Sequence, residues 1–188
     1  MDVMTAIQTR KSVRSYASGK LDEKVIQALL TAAVRAPTAL HEESWAFGVV
    51  QDADILKRLS DRWKASLSEE VRQAYAKSDD KFAERFTDPN FNIFYNAENL
   101  IVIYSKSAGR FVAADCWLAA ENLMLAACSM GLGTCVIGSA VSVLNAPVTK
   151  SELGVAEEYT AYSPMIVGVP NEEASPTPRK EPQILVWK

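Results

Sequence analysis

The sequence predicts one domain that mixes α-helices with β-strands, and three patterns in it support this fold class. Apolar residues recur at helical spacing between positions 22 and 35, as on a helix with one buried face. Continuous apolar runs of strand length lie at Trp45–Val50 and at Leu100–Tyr104. The segment from Asp115 to Met130 is apolar nearly all round, which is typical of a helix buried on most of its circumference. With 188 residues, the chain is long enough to bury a core as a single domain over residues 1–188.

The N-terminal elements are predicted to be two helices. Val3 to Thr9 carries enough apolar residues for a short helix. Asp22 can cap a second helix that runs to about Arg35, and Ala36-Pro37 ends it because the residue before a proline avoids the helical region. The buried stripe of this second helix is predicted to consist of Val25, Ile26, Leu29, Leu30, Ala33 and Val34.

The rest of the chain is predicted to contain the strands and one charged helical segment. Residues 54–77 form either one broken helix or a pair of helices. The sequence Thr87-Asp88-Pro89-Asn90 has turn chemistry. The predicted strands are, in order, Trp45–Val50, Leu100–Tyr104, Pro164–Val169 and, as a candidate fourth, Gln183–Trp187.

Glycines mark the end of the apolar helix at 115–130. Gly131 is expected to terminate it in the left-handed conformation, whereas Gly133 and Gly138 would let the backbone approach something flat. These glycines do not form a G-x-G-x-x-G motif, because the third is two positions late and they follow a helix rather than a strand. Two alternatives remain for the helix: a second subunit covers the face that the first leaves open, or it is the central core helix of a monomer.

Composition and charge exclude several classes of protein. The net charge of -3 and an isoelectric point near 5.3 argue against a general nucleic-acid binder. Three cysteines (Cys116, Cys128 and Cys135) follow no zinc-ligand spacing, and with one histidine in the chain no metal site is expected. The N-terminus lacks the apolar core of a signal peptide, and no run approaches the length of a membrane span. We therefore expect a soluble protein of the reducing cytoplasm.

A basic cluster, Arg10-Lys11-Ser12-Val13-Arg14, follows the first helix. Guanidinium groups pair with phosphate oxygens in a bidentate manner, and a serine hydroxyl adds a further donor to the same anion. The cluster therefore suits an anion-binding site. The alternative is a solvated basic helix end, whose cations complement the helix dipole.

Six separated segments occur in a fixed order along the chain: Arg10–Arg14, Ala36–Ala39, Trp45–Phe47, Gly131–Gly138, Gly168–Pro170 and Arg179–Lys180. Together they resemble the nitroreductase family of FMN-dependent oxidoreductases, in its short-chain branch. The resemblance spans essentially residues 3 to 187. It implies an α+β fold, with a central mixed, largely antiparallel sheet wrapped by helices. It also implies an obligate, intertwined homodimer that binds FMN at the subunit interface.

The resemblance assigns the two ends of the chain to the flavin phosphate. Arg10, Ser12 and Arg14 fall where the family binds the phosphate and the ribityl chain, and Lys11 falls where the family contacts the ring edge. Near the C-terminus, a cation that closes on the phosphate is matched by Arg179 with help from Lys180. Positive groups from both chain ends would explain how an acidic chain holds an anionic cofactor.

The resemblance assigns the middle of the chain to the flavin ring. The loop that the partner subunit lays against the flavin is matched by Pro37, Thr38 and Ala39. Ile137 and Gly138 match backbone that faces the ring, where N–H groups can reach the flavin N5 region. Weaker matches to a ring-binding asparagine are Asn92 and, as the competing choice, Asn90.

The loop after Ala36-Pro37 departs from the family, which commonly continues through Asn to Gln-Pro-Trp. His41 stands in place of the asparagine and Glu43 in place of the glutamine. His41 either contacts the flavin as a neutral imidazole or only packs the loop. For Glu42 and Glu43 we expect a solvated loop rather than a catalytic role, because a carboxylate near a reduced flavin would disfavour a flavin anion.

The resemblance implies an FMN-dependent NAD(P)H oxidoreductase that works by ping-pong hydride transfer. NADH or NADPH reduces the flavin and leaves, and a small flat acceptor (a nitroaromatic, a quinone or an activated alkene) then takes the electrons. No catalytic nucleophile is expected from the protein, since the flavin N5 carries the chemistry. The alternative is a flavin-binding or flavin-handling protein with little turnover. Reductive dehalogenation, as in iodotyrosine deiodinase, is disfavoured because nothing marks a lid that grips a zwitterion, although residues 60–95 could form a lid.

Overall fold

The structure is a computed structural model that describes residues 1–67, 88, 90–106, 109–171 and 178–188. Its helices are α1 (Val3–Thr9), α2 (Glu23–Ala33), α3 (Ala53–Ser66), α4 (Val112–Ser129), α5 (Ala140–Leu144) and α6 (Pro147–Leu153). Its strands are β1 (Trp45–Val50), β2 (Leu100–Ser105), β3 (Gly133–Val136) and β4 (Thr160–Gly168).

The four strands form one antiparallel sheet in the order β1-β2-β4-β3. Val49 of β1 pairs with Ile101 of β2, and Ile101 in turn pairs with Met165 of β4. On the far side of β4, Ile166 pairs with Cys135 of β3. The predicted α+β class with a mainly antiparallel sheet is therefore confirmed. The one parallel pairing described is an isolated bridge between Ser12 and Thr134.

Helices cover both faces of the sheet. Every residue of β2 is buried, as a strand with helices on both sides requires. Ile101 and Ile103 face α2 and α4, whereas Val102 and Tyr104 face α3 and α5. The alternation follows from the two-residue period of a strand. Within the described ranges, no helix has both the length and the hydropathy that crossing a membrane requires.

Helix α4 is apolar all round but only half covered by its own chain. It begins three residues before the predicted start, at Val112, and ends one residue earlier than predicted. Small and apolar residues such as Ala119 and Leu123 are fully buried against α2 and the sheet. The other face leaves Trp117 41% and Leu118 45% exposed. The single chain therefore does not bury this helix as a central core helix.

Most predicted elements are present, with shifted ends. The helix after Ala53 ends at Ser66, and the rest of the predicted 54–77 helix lies outside the described residues. The same holds for two residues of the predicted turn at 87–90 and for most of the candidate lid at 60–95. Gly131 has φ 76°, so the predicted left-handed helix end is confirmed.

Two predictions about strands and glycines were wrong, and one strand was missed. Residues 183–187 form no strand, because no described strand pairs with them and the whole segment is exposed. The short strand β3 was not predicted, and pairing with β4 creates it. Gly133 lies close to Val13 rather than to an open surface: a Cβ added there would meet the Val13 side chain at 2.6–2.9 Å.

Candidate functional site

The basic cluster lies along the outer edge of β3. The Val13 N–H donates to the Thr134 carbonyl at 2.9 Å, and Ser12 is bridged to Thr134. Val13 is buried, whereas Ser12 and Arg14 on either side of it are exposed, as alternation in an extended segment requires. The Tyr16 hydroxyl donates to the Val13 carbonyl at 2.6 Å and fixes the end of the segment.

Three polar side chains of this cluster converge on Cys135 of β3. Burial raises the pKa of the Cys135 thiol, while the charges of Arg14 and Arg10 and a hydrogen bond from Ser12 act in the opposite direction. Cys135 is 3% exposed. Arg10, Ser12 and Arg14 are thus the groups of the cluster that act on this buried thiol.

Arg10 is held beside α4 by a weak ion pair. Its Nε lies 3.9 Å from Oε1 of Glu121, and the two side chains are 18% and 50% exposed. A pair of this length at a partly solvated position contributes little to stability. Arg10 is thus kept near the cluster by a carboxylate that an anionic ligand could replace. The neighbouring Lys11 is half-buried.

A cavity of about 250 Å³ adjoins the cluster. Arg14 lines it at one side, and Ile137 and Gly138 line it further along the chain after β3. The Arg14 guanidinium lies 5.9 Å from the centre of the Tyr95 ring, which also lines the cavity. Tyr95 in turn meets Phe91 edge to face, with ring centres 5.5 Å apart. Cationic and aromatic groups therefore share one cavity wall.

Ile137 and Gly138 are the two residues predicted to face the flavin ring, and they differ in whether their backbone N–H is already hydrogen-bonded. The Ile137 N–H donates to the Pro164 carbonyl at 2.9 Å, so it is not available to a ligand as predicted. The Gly138 N–H has no acceptor in the described part of the chain. Among the described residues, apart from its two chain neighbours, none has an atom within 4 Å of the position that a Gly138 Cβ would take. The space beside the Gly138 backbone is therefore free, and a side chain at this position would occupy it.

Asn92 is placed differently from the other predicted site residues. Its Oδ1 accepts the Phe94 N–H at 2.9 Å, and its carbonyl accepts the Tyr95 N–H at 2.8 Å. Together with Asn90, it lines a separate cavity of about 460 Å³ beside α3. Asn92 therefore shapes the turn that presents Tyr95, which has φ 53°, and does not line the cavity next to Arg14.

The predicted flavin loop begins at Pro37 and forms a single 3-10 turn over Ala39–His41. Pro37 and His41 are exposed, and Thr38 and Ala39 are half-buried. None of these residues lines the cavity beside Arg14. Within one chain, the structure thus separates this loop from the basic cluster.

Sequence reasoning missed Asp115, which holds this loop. Its Oδ1 and Oδ2 lie 3.2 and 3.3 Å from the backbone nitrogen of Ala39, whose N–H they accept. Asp115 is 4% exposed and lies in the first turn of α4. An acidic side chain in a largely apolar helix was the only available signal, since its partner is 76 residues away in the sequence.

The two C-terminal cations are not brought to the cluster. Arg179 and Lys180 lie in the exposed segment 178–188, and no contact within the described residues joins them to Arg10, Ser12 or Arg14. If they act at this site, they act on another copy of the chain or after the segment has moved.

The cavity beside the cluster thus places a guanidinium, an aromatic ring and the open backbone of Gly138 side by side. The family model for the nitroreductase family matches residues 7–169. A match over most of the chain shows that it belongs to the nitroreductase family, and the predicted family is confirmed. Family membership makes the chain an oxidoreductase.

Known relatives agree with this assignment. A protein of Archaeoglobus fulgidus, assigned as an NADH dehydrogenase/NAD(P)H nitroreductase, is 26% identical over 172 residues, which are 92% of this chain and 87% of that protein. A nitroreductase of Bacteroides fragilis, solved with bound FMN, is 28% identical with a TM-score of 0.80, covering 100% of this chain and 98% of the other. A nitroreductase of Desulfitobacterium hafniense, also solved with FMN, is 22% identical with a TM-score of 0.78 over the whole of both chains, and it shows the same fold.

Proposed function

We propose that this chain is an FMN-dependent oxidoreductase that passes a hydride from NADH or NADPH to a small flat acceptor. The acceptor classes that fit are nitroaromatics, quinones and activated alkenes. The observation that supports this most directly is that the basic cluster runs along the edge of β3 and places Arg14 in a cavity whose further wall is the open backbone of Gly138. The relatives solved with FMN and those assigned as NAD(P)H nitroreductases agree with it.

The residues present fit a flavin mononucleotide at its phosphate end. Two guanidinium groups and a hydroxyl can each donate to phosphate oxygens, and charge-assisted bonds of this kind are the strong ones. Ser12 and Arg14 are exposed, so a ligand can reach their donors from solvent. The exchange of Glu121 for phosphate at Arg10 replaces a long, weak pair with a stronger one.

The residues also fit the ring of the cofactor. Gly138 offers an N–H and an empty Cβ position to a flat group, and Lys11 is proposed at the ring edge. When bound, FMN would supply the hydride acceptor and donor at N5. The protein residues bind and orient it, and we assign no nucleophile to the chain.

Reductant and acceptor are proposed to bind in turn. The described sheet is antiparallel, and the glycines at 131–138 end a helix and form β3, so this part of the chain has no dinucleotide-binding fold for NAD(P)H. A reductant without a site of its own must use the same open ring face as the acceptor. Alternating occupancy of one face is ping-pong kinetics.

A homodimer would complete the site. Helix α1 packs against α4 and leaves Met4 59% and Ile7 51% exposed, and α4 leaves Trp117 and Leu118 exposed, so each of the two helices has an uncovered apolar surface. Helix α4 also carries the residue that holds the 39–41 turn and the partner of Arg10. Packing two copies through α4 would therefore bring the loop of one chain near the cluster of the other, with Pro37, Thr38, Ala39 and His41 against the flavin.

The C-terminal segment is proposed to cross to the partner. Leu185 and Trp187 are 83% and 87% exposed, which is unfavourable for apolar side chains in water. Strand β1 is a sheet edge, and beside it lies a groove of about 290 Å³ lined by residues such as Tyr104 and Val155. A tail seated on the partner would carry Arg179 and Lys180 with it.

The cytoplasm is the proposed compartment. The three cysteines are all free, and a reducing compartment keeps thiols in that state.

Anaerobic spectroscopy tests the proposed function. The purified protein is expected to be yellow, to lose its flavin absorbance on addition of NADH or NADPH, and to regain it on addition of a quinone. A bound flavin that neither reductant bleaches would contradict the oxidoreductase and leave a flavin-binding or flavin-handling protein. A protein that holds no flavin would contradict both.

A further inference from the structure

The loop over the 39–41 turn has little to hold it in place. None of the residues of the turn is buried, and Leu40 is 86% exposed. Leu40, His41 and Glu43 have φ of 53°, 57° and 45°, a region that residues other than glycine rarely adopt. Such a conformation persists only when the surroundings impose it.

One buried group of α4 supplies that constraint. The carboxylate of Asp115 accepts the Ala39 N–H with its two oxygens at nearly equal distances, 3.2 and 3.3 Å. The other hydrogen bonds described for the loop are internal to it, such as those from Glu42 to Ala39 and from Glu43 to Thr38. Asp115 is therefore the hydrogen-bonding link between the described loop and the body of the fold.

A carboxylate is an unusual choice for this position if packing alone were required. Asp115 lies among the buried residues Val112, Cys116 and Ala119, where an apolar side chain would avoid the loss of hydration that a charge suffers. The start of a helix favours negative charge, but that advantage needs no buried side chain. What the carboxylate provides and an apolar residue does not is the bond to Ala39.

We infer that Asp115 is a positioning residue, whose buried carboxylate holds the Ala39 N–H and so fixes the loop that faces the substrate side of the cofactor. The inference rests on the proposed function for the role of the loop at the flavin. The hydrogen bond and its effect on the loop do not depend on it. Because α4 also carries the exposed Trp117 and Leu118, Asp115 ties the geometry of the loop to the helix proposed at the dimer interface.

The test removes the bond from each side separately. Asp115→Ala removes the acceptor, Ala39→Pro removes the donor, and Asp115→Asn keeps one acceptor oxygen. A glutamate-specific protease reports on the loop directly, since Glu42 and Glu43 are exposed within it. Cleavage at these bonds in the full-length protein, followed by mass spectrometry, measures how often the loop opens.

Glu98 provides a matched control. Its carboxylate accepts the Gly19 N–H at 3.1 Å from a segment 79 residues away, so Glu98→Ala breaks a bond of the same kind elsewhere. The second readout is steady-state kinetics of the flavin-loaded protein with NADH and a quinone. If the loop only stabilises the fold, its loss should not change the KM for the quinone selectively, without a matching change in the rate of flavin reduction by NADH.

Asp115→Ala and Ala39→Pro are each expected to speed loop cleavage about ten-fold, because a hydrogen bond to a charged group is lost. The double variant should be no faster than either single one, since both remove the same bond. Asp115→Asn should stay near the wild-type rate. The KM for the quinone should rise about ten-fold in the first two variants, while flavin reduction at saturating NADH keeps its rate.

If the cleavage rates of Asp115→Ala and Ala39→Pro multiply in the double variant, the inference is overturned. The same follows if Glu98→Ala speeds loop cleavage as much as they do. If Asp115→Ala does not fold, Ala39→Pro decides alone, and wild-type cleavage in that variant overturns it. A raised cleavage rate with an unchanged KM would also overturn the positioning role. Failure of the proposed function looks different: the loop would respond to both variants in a protein that holds no flavin.

Discussion

At the scale of single residues, Gly133 and Gly138 have opposite surroundings. A Cβ at Gly133 would lie 2.6 Å from the Val13 side chain, whereas a Cβ at Gly138 would meet nothing within 4 Å among the described residues beyond its chain neighbours. Neither glycine has a positive φ, so an alanine at either position would not strain the backbone. An alanine at Gly133 therefore tests packing, whereas an alanine at Gly138 tests ligand binding.

Gly138→Ala should leave stability unchanged, within about 0.5 kcal/mol, but weaken FMN about ten-fold because the new methyl group takes up ligand space. Gly133→Ala is the matched control and should cost about 1–3 kcal/mol of unfolding free energy by overpacking Val13. Denaturant unfolding of the flavin-free proteins and flavin titration measure the two effects. Equal FMN affinity in Gly138→Ala and wild type would contradict the proposed ring site.

Residue type made part of the site predictable. Arg10, Ser12 and Arg14 stand within five positions, and their chemistry indicates an anion site before any fold is known. Asp115 could not be recognised in this way, because its role depends on a hydrogen bond to a residue 76 positions away. The commitment of the Ile137 N–H to Pro164 depends in the same way on the strand pairing.

At the scale of elements, α3 and α6 are joined by one carboxylate. Glu152 accepts from Arg62 at 2.8 Å and from Arg58 at 2.9 Å, and Arg62 also donates to Thr149 at 2.7 Å. Hydrogen bonds from Arg62 and then from Arg58 hold the pKa of Glu152 below its ordinary value. The two ion pairs thus depend on the charged form of Glu152, whereas the bond from Arg62 to Thr149 does not.

Lowering the pH should weaken this link. Because the folded-state pKa of Glu152 lies below that of the unfolded chain, the link stabilises the fold above the unfolded pKa and is lost as the pH falls through the folded one. Glu152→Gln should cost about 1 kcal/mol at neutral pH, a small value because the side chain is 22% exposed. The variant should also lose less stability than wild type when the pH falls below about 5.

The control is Asp61→Asn, which breaks the more exposed pairs with Lys57 and Lys64 and should change stability less. Urea unfolding of each protein between neutral and mildly acidic pH measures these differences. If the unfolding free energy of wild type and of Glu152→Gln changes with pH in parallel, charged Glu152 does not stabilise the fold as assigned.

Element prediction succeeded where the pattern was long and local. The apolar run of β2 and the amphipathic stripe of α2 are visible without tertiary contacts, and both elements are present. Strand β3 is four residues long and begins with a glycine, so its strand character comes from pairing with β4. The opposite error occurred at residues 183–187, whose apolar run has no described strand to pair with.

At the scale of the whole molecule, the uncovered apolar surface of α1 and α4 predicts a dimer. Leu118→Glu should prevent association without unfolding the chain, because Leu118 is already 45% exposed. Val148→Glu is the control, since Val148 is 57% exposed on α6, outside that surface. Obligate interfaces commonly bury more than about 2,000 Å². Because FMN is proposed to bind between the two subunits, Leu118→Glu should lose FMN when it loses its partner subunit.

Sedimentation of both variants, with flavin absorbance recorded in the same run, measures assembly and cofactor together. A wild-type monomer that retains FMN would contradict a shared site. The apolar composition of residues 115–130 left two alternatives, a covering subunit or a central core helix. Which side chains of this helix remain uncovered follows only from its packing against α2 and the sheet.

The central claim is that the cluster around Cys135 binds the phosphate of FMN, and a comparison of FMN with riboflavin tests it most directly. Both ligands carry the ring and the ribityl chain, and only FMN carries the phosphate. Three flavin-free proteins are titrated with FMN and with riboflavin: wild type, Arg14→Ala and Arg58→Ala. Arg58→Ala is the control, because Arg58 pairs with Glu152 away from the cluster. Arg14→Ala should weaken FMN at least about ten-fold and leave riboflavin nearly unchanged, while Arg58→Ala changes neither. Equal weakening of both ligands by Arg14→Ala, or a wild type that does not prefer FMN, would contradict the account.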